Sequence, residues 1–189
     1  GPSGVGKDTI INELRRRPVG GDFHYVVTCT TRVPRSGEMD GVHYHFKSAT
    51  EFAALEAAGE LLESATVHGN SYGTPRSEVR NALARGKDAI LKIDVQGAQR
   101  VKEAIPDALL VFVIPPTLET LFARLRARAT EAADELELRQ RNAAIELARQ
   151  DDYDYVVVNE TGQVESTARR IHDIIAAEAA VHADRRIRV

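Results

Sequence analysis

The first nine residues, GPSGVGKDT at Gly1–Thr9, fit the phosphate-loop pattern G-x-x-x-x-G-K. Glycines in such a loop let backbone N–H groups point at phosphate oxygens, and Lys7 reaches the terminal phosphates. A helix predicted from Lys7 to Arg17 adds its N-terminal dipole to the anion site; the alternative is a glycine-rich turn that only starts this helix. The loop predicts an ATP site made of Gly1, Pro2, Ser3, Gly4, Val5, Gly6, Lys7, Asp8 and Thr9.

Asp8 stands where the pattern carries Ser or Thr, whose hydroxyl binds Mg²⁺. Mg²⁺ favours oxygen ligands and keeps several waters, so we predict that Asp8 binds the metal directly or through a water. The alternative is that its carboxylate only stabilises the N-terminus of the helix. A phosphate loop also follows a central strand of its sheet, so we expect an apolar strand upstream of Gly1.

Composition narrows the class of protein. The 189 residues, 43% of them hydrophobic, favour one domain with a small inserted lobe. A net charge of -3 argues against a nucleic-acid or membrane-surface binder. The single cysteine, Cys29, excludes an internal disulfide and a cysteine-based zinc site. No apolar run approaches the about 18 residues of a membrane span and no signal peptide is evident, so we expect a cytoplasmic protein of undetermined oligomeric state.

The second half of the chain alternates strands with helices, which predicts a parallel α/β sheet covered on both faces. The predicted strands are DAILKIDV (88–95), ALLVFVIPP (108–116) and YDYVVVN (153–159). The helices between and after them span 96–104, 117–128, 131–150 and a terminal stretch to about residue 183.

A strand-rich and turn-rich segment, 27–77, interrupts this pattern and is predicted to be the inserted lobe. It holds a capping box at Ser48 and Glu51, a strand LLESATV (61–67), and a loop GNSYGTP (69–75) whose proline starts a helix. The predicted division is a core (1–26, 78–117 and 147–189), this lobe, and a helical lid (118–146).

Two arginines in the lobe, Arg32 and Arg35, flank a proline, and Tyr44 follows. Two guanidinium groups on a stiff turn can bind a phosphate bidentately, and a tyrosine hydroxyl adds a neutral donor. A solvated basic loop is the alternative.

Three motifs, TTRVPRSGEMDGVHYHF (30–46), ESATVHGNSYGTP (63–75) and IDVQGA (93–98), together resemble guanylate kinase, and the resemblance runs along essentially the whole chain. It implies a P-loop kinase that transfers the γ-phosphoryl group of ATP to GMP with Mg²⁺, and leaves the preference between GMP and dGMP open. The GMP-binding residues implied by the resemblance are Thr28, Arg32, Arg35, Tyr44, Glu63, Tyr72, Thr74 and Asp94.

The chemistry of guanine supports two of these residues independently. Guanine presents N1–H and a 2-amino group as donors beside the O6 acceptor, so a carboxylate at Glu63 and a hydroxyl at Thr74 are complementary to it. Adenine presents the opposite pattern and would be rejected. As a strand-surface charge, the alternative, Glu63 would not distinguish the two bases.

Asp94 ends an apolar strand, where an acid can lie beside metal and phosphates, and the family resemblance also brings it near the base. The alternative is that Asp94 caps the next helix. Lys92, two residues earlier, stands where the guanylate kinases that this chain resembles often carry an acid.

Three arginines are candidates for catalysis with Lys7. Arg124 and Arg128 lie one helical turn apart, and Arg139 follows in the charged helix, so the three can converge on the transferring phosphoryl group when a lid closes. The resemblance implies that they are lid arginines and that Arg128 and Asn159 flank the adenine of ATP. An arginine-rich, solvated helix face is the alternative.

Two rival functions follow from the same sequence. A related kinase of phosphorylated sugars resembles the chain at GKD (6–8) but has no use for Glu63 and Thr74. A guanylate-kinase-like interaction module binds protein partners and typically loses the phosphate loop and lid, which this chain retains at Lys7 and Arg124. The expected partners are therefore ATP and GMP, with no nucleic acid and no membrane.

Overall fold

A computed structural model describes residues 1–16, 23–67, 69–128, 133–182, 187 and 189, except for the side chains of 128, 133–136 and 139. Its helices are α1 Lys7–Arg16, α2 Ala49–Ala57, α3 Arg76–Ala84, α4 Val95–Ala104, α5 Leu118–Arg128, α6 Ala133–Leu147 and α7 Val164–Val181, with a short 3-10 turn at Gln150–Asp152. Its strands are β1 Phe23–Tyr25, β2 Cys29–Thr30, β3 His45–Phe46, β4 Leu61–Val67, β5 Asn70–Pro75, β6 Asp88–Ile90, β7 Val111–Ile114 and β8 Tyr155–Val158.

The chain divides into two compact units, and the first comprises Gly1–Val19 and Leu109–Arg185. Strands β7 and β8 pair in parallel in this unit, as the alternation of strands and helices predicts. Helices α1 and α7 pack on each other. Phe112 and Leu121 are fully buried, so the apolar positions of β7 and of α5 form part of the core of this unit.

The second unit comprises Gly20–Ala108 and Arg186–Val189. Strands β1 and β6 form a parallel pair, and a four-stranded sheet has the order β3-β2-β5-β4. In that sheet β2 pairs in parallel with β3, while β5 runs antiparallel to both β2 and β4. A cluster of buried apolar side chains fills this unit: Val26, Leu62, Val79, Val101 and Ile105.

Several local predictions are confirmed in the second unit. The capping box is complete, since the Glu51 N–H donates to Oγ of Ser48 and the Ser48 N–H donates to the Glu51 carboxylate. Helix α3 begins directly after Pro75, as predicted.

One local prediction is wrong, because residues 70–75 form strand β5 rather than a loop. The polar residues and glycines of this stretch are typical turn residues, but its backbone is paired on both sides, by β2 and β4. Gly73 is there for packing: a Cβ at this position would lie 2.8 Å from Cδ1 of Leu61 and 3.1 Å from the ring of Phe52. The predicted strand 88–95 is also shorter than expected and ends at Ile90.

The boundaries predicted for core, lobe and lid stay a prediction. Among the residues described, none of the helices has the length and apolar character needed to cross a bilayer.

Candidate active site

The phosphate loop of the first unit requires its glycines for two reasons. Gly4 and Gly6 have φ of 82° and 104°, a backbone conformation that residues with a Cβ rarely adopt. Their backbones also approach neighbours closely: a Cβ would lie 2.8 Å from Cδ2 of Leu125 at the first position and 2.5 Å from Nδ2 of Asn159 at the second. The loop is therefore fixed by both conformation and packing.

Lys7 closes this loop on itself. Its Nζ donates to the carbonyl oxygens of Gly1 and Pro2, at 2.6 and 2.9 Å. Asp8 and Thr9 are exposed in the first turn of α1, so the carboxylate of Asp8 lies at the positive end of the helix dipole.

Asn159, which follows β8, forms a hydrogen bond to the backbone of the phosphate loop. Its buried side-chain amide donates to the carbonyl oxygen of Val5 at 2.7 Å, and its Oδ1 accepts from the hydroxyl of Thr167 at 3.2 Å. Because Val5 is fully buried, this bond satisfies a carbonyl that has little access to water. The predicted contact of Asn159 with adenine stays a prediction.

Arg124, on α5, contacts the same region through three hydrogen bonds. The guanidinium donates to the carbonyl oxygens of Val5 and Asn159, both at 3.2 Å, and to the hydroxyl of Thr161 at 3.1 Å. Arg124 is therefore close to the phosphate loop. The side chains of the other two predicted lid arginines, Arg128 and Arg139, lie outside the described residues.

In the second unit, Arg32 forms an ion pair with Glu38 through its Nη2. Its guanidinium donates to the two carboxylate oxygens at 2.8 and 2.9 Å, and the backbone N–H of Arg35 donates to the same carboxylate at 2.8 Å. Partial burial opposes ionisation of Glu38, but the bonds from Arg32 and Arg35 outweigh it and hold the pKa of Glu38 below its usual value. The side chain of Arg35 is exposed.

Tyr44 lies at the centre of the predicted phosphate site. Its ring centroid is 6.0 Å from that of Tyr72, 5.4 Å from Cζ of Arg32 and 4.6 Å from Nζ of Lys92. The structure thus brings together two tyrosines and two cations, of which Lys92 did not belong to the predicted set.

Glu63 and Thr74 are cross-strand partners on β4 and β5. Both are buried, at 6% and 0% exposure, and the Thr74 hydroxyl donates to Oε1 of Glu63 at 2.6 Å. Burial raises the pKa of Glu63, the Thr74 bond opposes this shift, and the nearby charge of Asp94 adds to it. A buried carboxylate with a fixed orientation is suited to accepting hydrogen bonds from donors at defined positions of a ligand.

Asp94 caps helix α4, because its Oδ1 accepts from the backbone N–H of Gly97 at 2.8 Å. This capping role was the alternative considered for Asp94, and a contact with the base stays a prediction. Thr28 is buried, and its carbonyl oxygen accepts from the backbone N–H of His45 at 2.9 Å.

Besides Lys92, two residues of the site were missed by the sequence interpretation. Glu38, three residues after Arg35, is detectable only as an acid close to two arginines. Gly97 lies beside Glu63, and a Cβ there would be 2.6 Å from Oε2 of that carboxylate. Its signal was a glycine in the first turn of a helix, where a glycine lowers helix stability and so needs a packing reason.

Comparisons with known proteins agree on one family. The guanylate kinase family model matches residues 1–178. The guanylate kinase of Gloeobacter violaceus is 48% identical over 182 residues, covering 95% of this chain and 88% of that protein. The guanylate kinase of Carboxydothermus hydrogenoformans is 42% identical over 178 residues, 94% of this chain and 85% of that protein.

A solved structure gives the same result. The crystal structure of guanylate kinase from Anaplasma phagocytophilum matches with a TM-score of 0.75 and 35% sequence identity, over 90% of this chain and 81% of that one. The chain therefore belongs to the guanylate kinase family.

Proposed function

We propose that this chain transfers the γ-phosphoryl group of ATP to GMP, giving ADP and GDP, and that Glu63 and Thr74 select the guanine base. The observation that carries the proposal is the buried pair itself, with Thr74 donating to Oε1 of Glu63 at 2.6 Å. A carboxylate held in this way accepts from N1–H and the 2-amino group of guanine. Adenine would place its N1 acceptor against the same carboxylate, and that mismatch is penalised heavily in a buried site.

The ATP half of the reaction is assigned to the first unit. The phosphate loop Gly1–Gly6 and the N-terminus of α1 bind the phosphates of ATP, and Lys7 neutralises the charge that develops on the transferring group. This assignment is supported by the contact of the Lys7 ammonium with the loop, where Nζ donates to the carbonyl oxygens of Gly1 and Pro2. Phosphoryl transfer needs such positioning and charge neutralisation more than covalent help from the protein.

Mg²⁺ is the cofactor that this chemistry implies. No group of three or more His, Cys, Asp or Glu side chains that could hold a metal ion occurs in the described part of the chain. Mg²⁺ binds to nucleotide-dependent enzymes through one or two carboxylates together with substrate phosphates and water. The exposed oxygens of Asp8, next to the loop, suit this role, and the metal would neutralise charge on the bound phosphates.

In the second unit, Arg32, Arg35, Tyr44 and Tyr72 are assigned to the phosphate of GMP. The support for this is the cluster around Tyr44, in which a guanidinium and a second tyrosine ring lie within 6.0 Å of its centroid. Arg124, Arg128 and Arg139 are assigned to the transferring phosphoryl group, with lid closure excluding water and so limiting ATP hydrolysis. We place this activity in the cytoplasm, where ATP and GMP are available.

The proposal is tested by following the nucleotides directly. The purified chain is incubated with ATP, MgCl₂ and GMP, and the products are separated by ion-exchange chromatography. We expect ADP and GDP in equal amounts, and little ADP when GMP is left out. ADP formed without GDP, or formed only when a sugar phosphate is supplied, would contradict the proposal.

A further inference from the structure

Lys92 lies next to the ring of Tyr44, a residue predicted to bind the phosphate of the acceptor. Its Nζ is 4.6 Å from the ring centroid, while Cζ of Arg32 is 5.4 Å from the same centroid. Two cations therefore contact one tyrosine ring. Both side chains are half-buried, so their charges are screened less than those of freely solvated residues.

The charge balance around Tyr44 makes the second cation important. The ion pair with Glu38 offsets part of the charge of Arg32, and the exposed side chain of Arg35 is better screened by water. A phosphate monoester carries a charge of about -1.5 to -2 at neutral pH. A second cation near Arg32 therefore adds to the positive charge that such a group needs.

An ammonium group is well suited to this position. It has three N–H donors, so it can lie over the ring of Tyr44 and still donate to a phosphate oxygen. Tyr72, whose ring centroid is 6.0 Å from that of Tyr44, adds a hydroxyl to the same cluster.

We propose that Lys92 is a further phosphate-binding residue of the acceptor site, and that it binds the phosphate of the nucleoside monophosphate together with Arg32 and Tyr44. This inference rests on the proposed function, because it takes the acceptor to be GMP. The expected consequence is tighter binding of the phosphate, with no effect on recognition of the base.

The test compares Lys92→Met with the wild-type chain, using isothermal titration calorimetry with GMP and with guanosine, which lacks the phosphate. Steady-state kinetics with GMP and with ATP complete the comparison. We expect Lys92→Met to weaken GMP binding and to raise KM for GMP by about 10-fold, the loss of one charge-assisted hydrogen bond. Guanosine binding and KM for ATP should change less than about 2-fold. Lys92→Arg should restore most of the GMP affinity.

Two further variants sharpen the test. Lys102→Met removes the same charge from α4 in the same unit, where Nζ of Lys102 donates to the carbonyl oxygen of Ala108 at 2.8 Å, and it should leave GMP affinity unchanged. Lys92→Gln is a second neutral variant in case Lys92→Met folds poorly, which thermal melts will show.

The inference is overturned if the neutral Lys92 variants bind GMP as tightly as the wild type does, or if they lose GMP and guanosine affinity equally. An equal loss in Lys102→Met would also overturn it, because the effect would then come from net charge alone. Failure of the wild-type chain to convert GMP contradicts the proposed function instead, and the comparison of GMP with guanosine binding still tests Lys92.

Discussion

The hydroxyl of Thr74 donates a 2.6 Å hydrogen bond to Oε1 of Glu63, and both side chains are buried. The two residues face each other across β4 and β5, so the sheet register determines their contact. The bond fixes the orientation of the carboxylate before any nucleotide arrives. Preorganisation of this kind is what a site needs if it is to discriminate by hydrogen-bond pattern.

Changing Glu63→Gln should reduce kcat/KM for GMP by roughly 10²- to 10⁴-fold, since a charge-assisted hydrogen-bond pair worth ~3 to 5 kcal/mol is broken. The amide oxygen of Gln still accepts from Thr74, so the fold should persist. A raised pKa means that the ionised form of Glu63 destabilises the folded state at neutral pH, so this variant should melt at the same temperature as the parent or higher. Unchanged GMP kinetics would show that Glu63 does not bind the guanine base.

The raised pKa of Glu63 also predicts how KM for GMP depends on pH. Because burial raises the pKa of Glu63, this carboxyl group takes up a proton at a higher pH than an ordinary glutamate, whose pKa is about 4.3. The protonated form is a poorer acceptor for the guanine donors, so KM for GMP should rise as the pH falls through the raised pKa. Glu63→Gln, assayed with the same GMP, corrects for titration of the phosphate. Identical pH profiles for the two proteins would contradict this assignment.

Changing Gly97→Ala should impair GMP use although alanine favours helices. The gain in helix propensity is about 0.5–1 kcal/mol, but the new Cβ would lie 2.6 Å from Oε2 of Glu63 and displace it. We expect KM for GMP to rise by about 10-fold, the effect of about 1.4 kcal/mol, with KM for ATP unchanged. Gln96→Ala, at an exposed position of the same helix, is the matched control and should behave as wild type. Normal GMP kinetics in Gly97→Ala would show that Glu63 adjusts freely.

Removing the hydrogen bond between Asn159 and the phosphate loop should raise KM for ATP rather than KM for GMP. Asn159→Ala loses the 2.7 Å bond to the carbonyl oxygen of Val5, which still accepts from Arg124, so the expected cost is about 0.5–1.5 kcal/mol in the free energy of unfolding. Denaturant melts should register this loss, and KM for ATP should rise while KM for GMP stays the same. Thr167→Val removes the hydroxyl that donates to Oδ1 of Asn159 and to the carbonyl oxygens of Gln163 and Val158, but it keeps the bond from Asn159 to Val5. It should therefore raise KM for ATP less than Asn159→Ala does. An unaltered KM for ATP in Asn159→Ala would argue against this supporting role.

Asp8 should determine how activity depends on Mg²⁺. A carboxylate near the ATP phosphates is repulsive unless the metal lies between them, so Asp8→Ala should raise the Mg²⁺ concentration for half-maximal activity. Asp8→Ser, which restores the hydroxyl of the usual pattern, should keep substantial activity with a changed Mg²⁺ profile. Asp8→Ala could instead lower only the free energy of unfolding, by the ~0.3–1 kcal/mol of a charge at a helix terminus, and keep the parent's Mg²⁺ titration. That result would show that Asp8 stabilises the helix and does not bind the metal.

The sequence predicted those features that depend on local pattern. The phosphate-loop glycines, the capping box at Ser48 and the helix after Pro75 each follow from short-range stereochemistry, and all are found. The complementarity of Glu63 to guanine was inferred from chemistry and a recognisable motif, and it stays a prediction. What brings Glu63 to Thr74, however, is a strand that local pattern predicted to be a loop.

The remaining features depend on contacts between distant residues. Asn159 is 154 positions from Val5 in the chain, and nothing in either sequence neighbourhood indicates their hydrogen bond. The same holds for Lys92 and Tyr44, and for the close approach of Gly97 to Glu63. Such pairs are set by the packing of whole elements, so only the folded structure reveals them.

The most direct test of the central claim is the specificity constant of the wild-type chain for three acceptors: GMP, IMP and AMP. IMP keeps N1–H and O6 but lacks the 2-amino group, so Glu63 can accept one hydrogen bond fewer from IMP than from GMP. We predict the order GMP, then IMP about 10-fold or more lower, then AMP lower by about 10⁴-fold or more, as expected for a buried site that leaves a polar group unpaired. Comparable kcat/KM values for AMP and GMP would contradict the claim that the Glu63–Thr74 pair selects guanine.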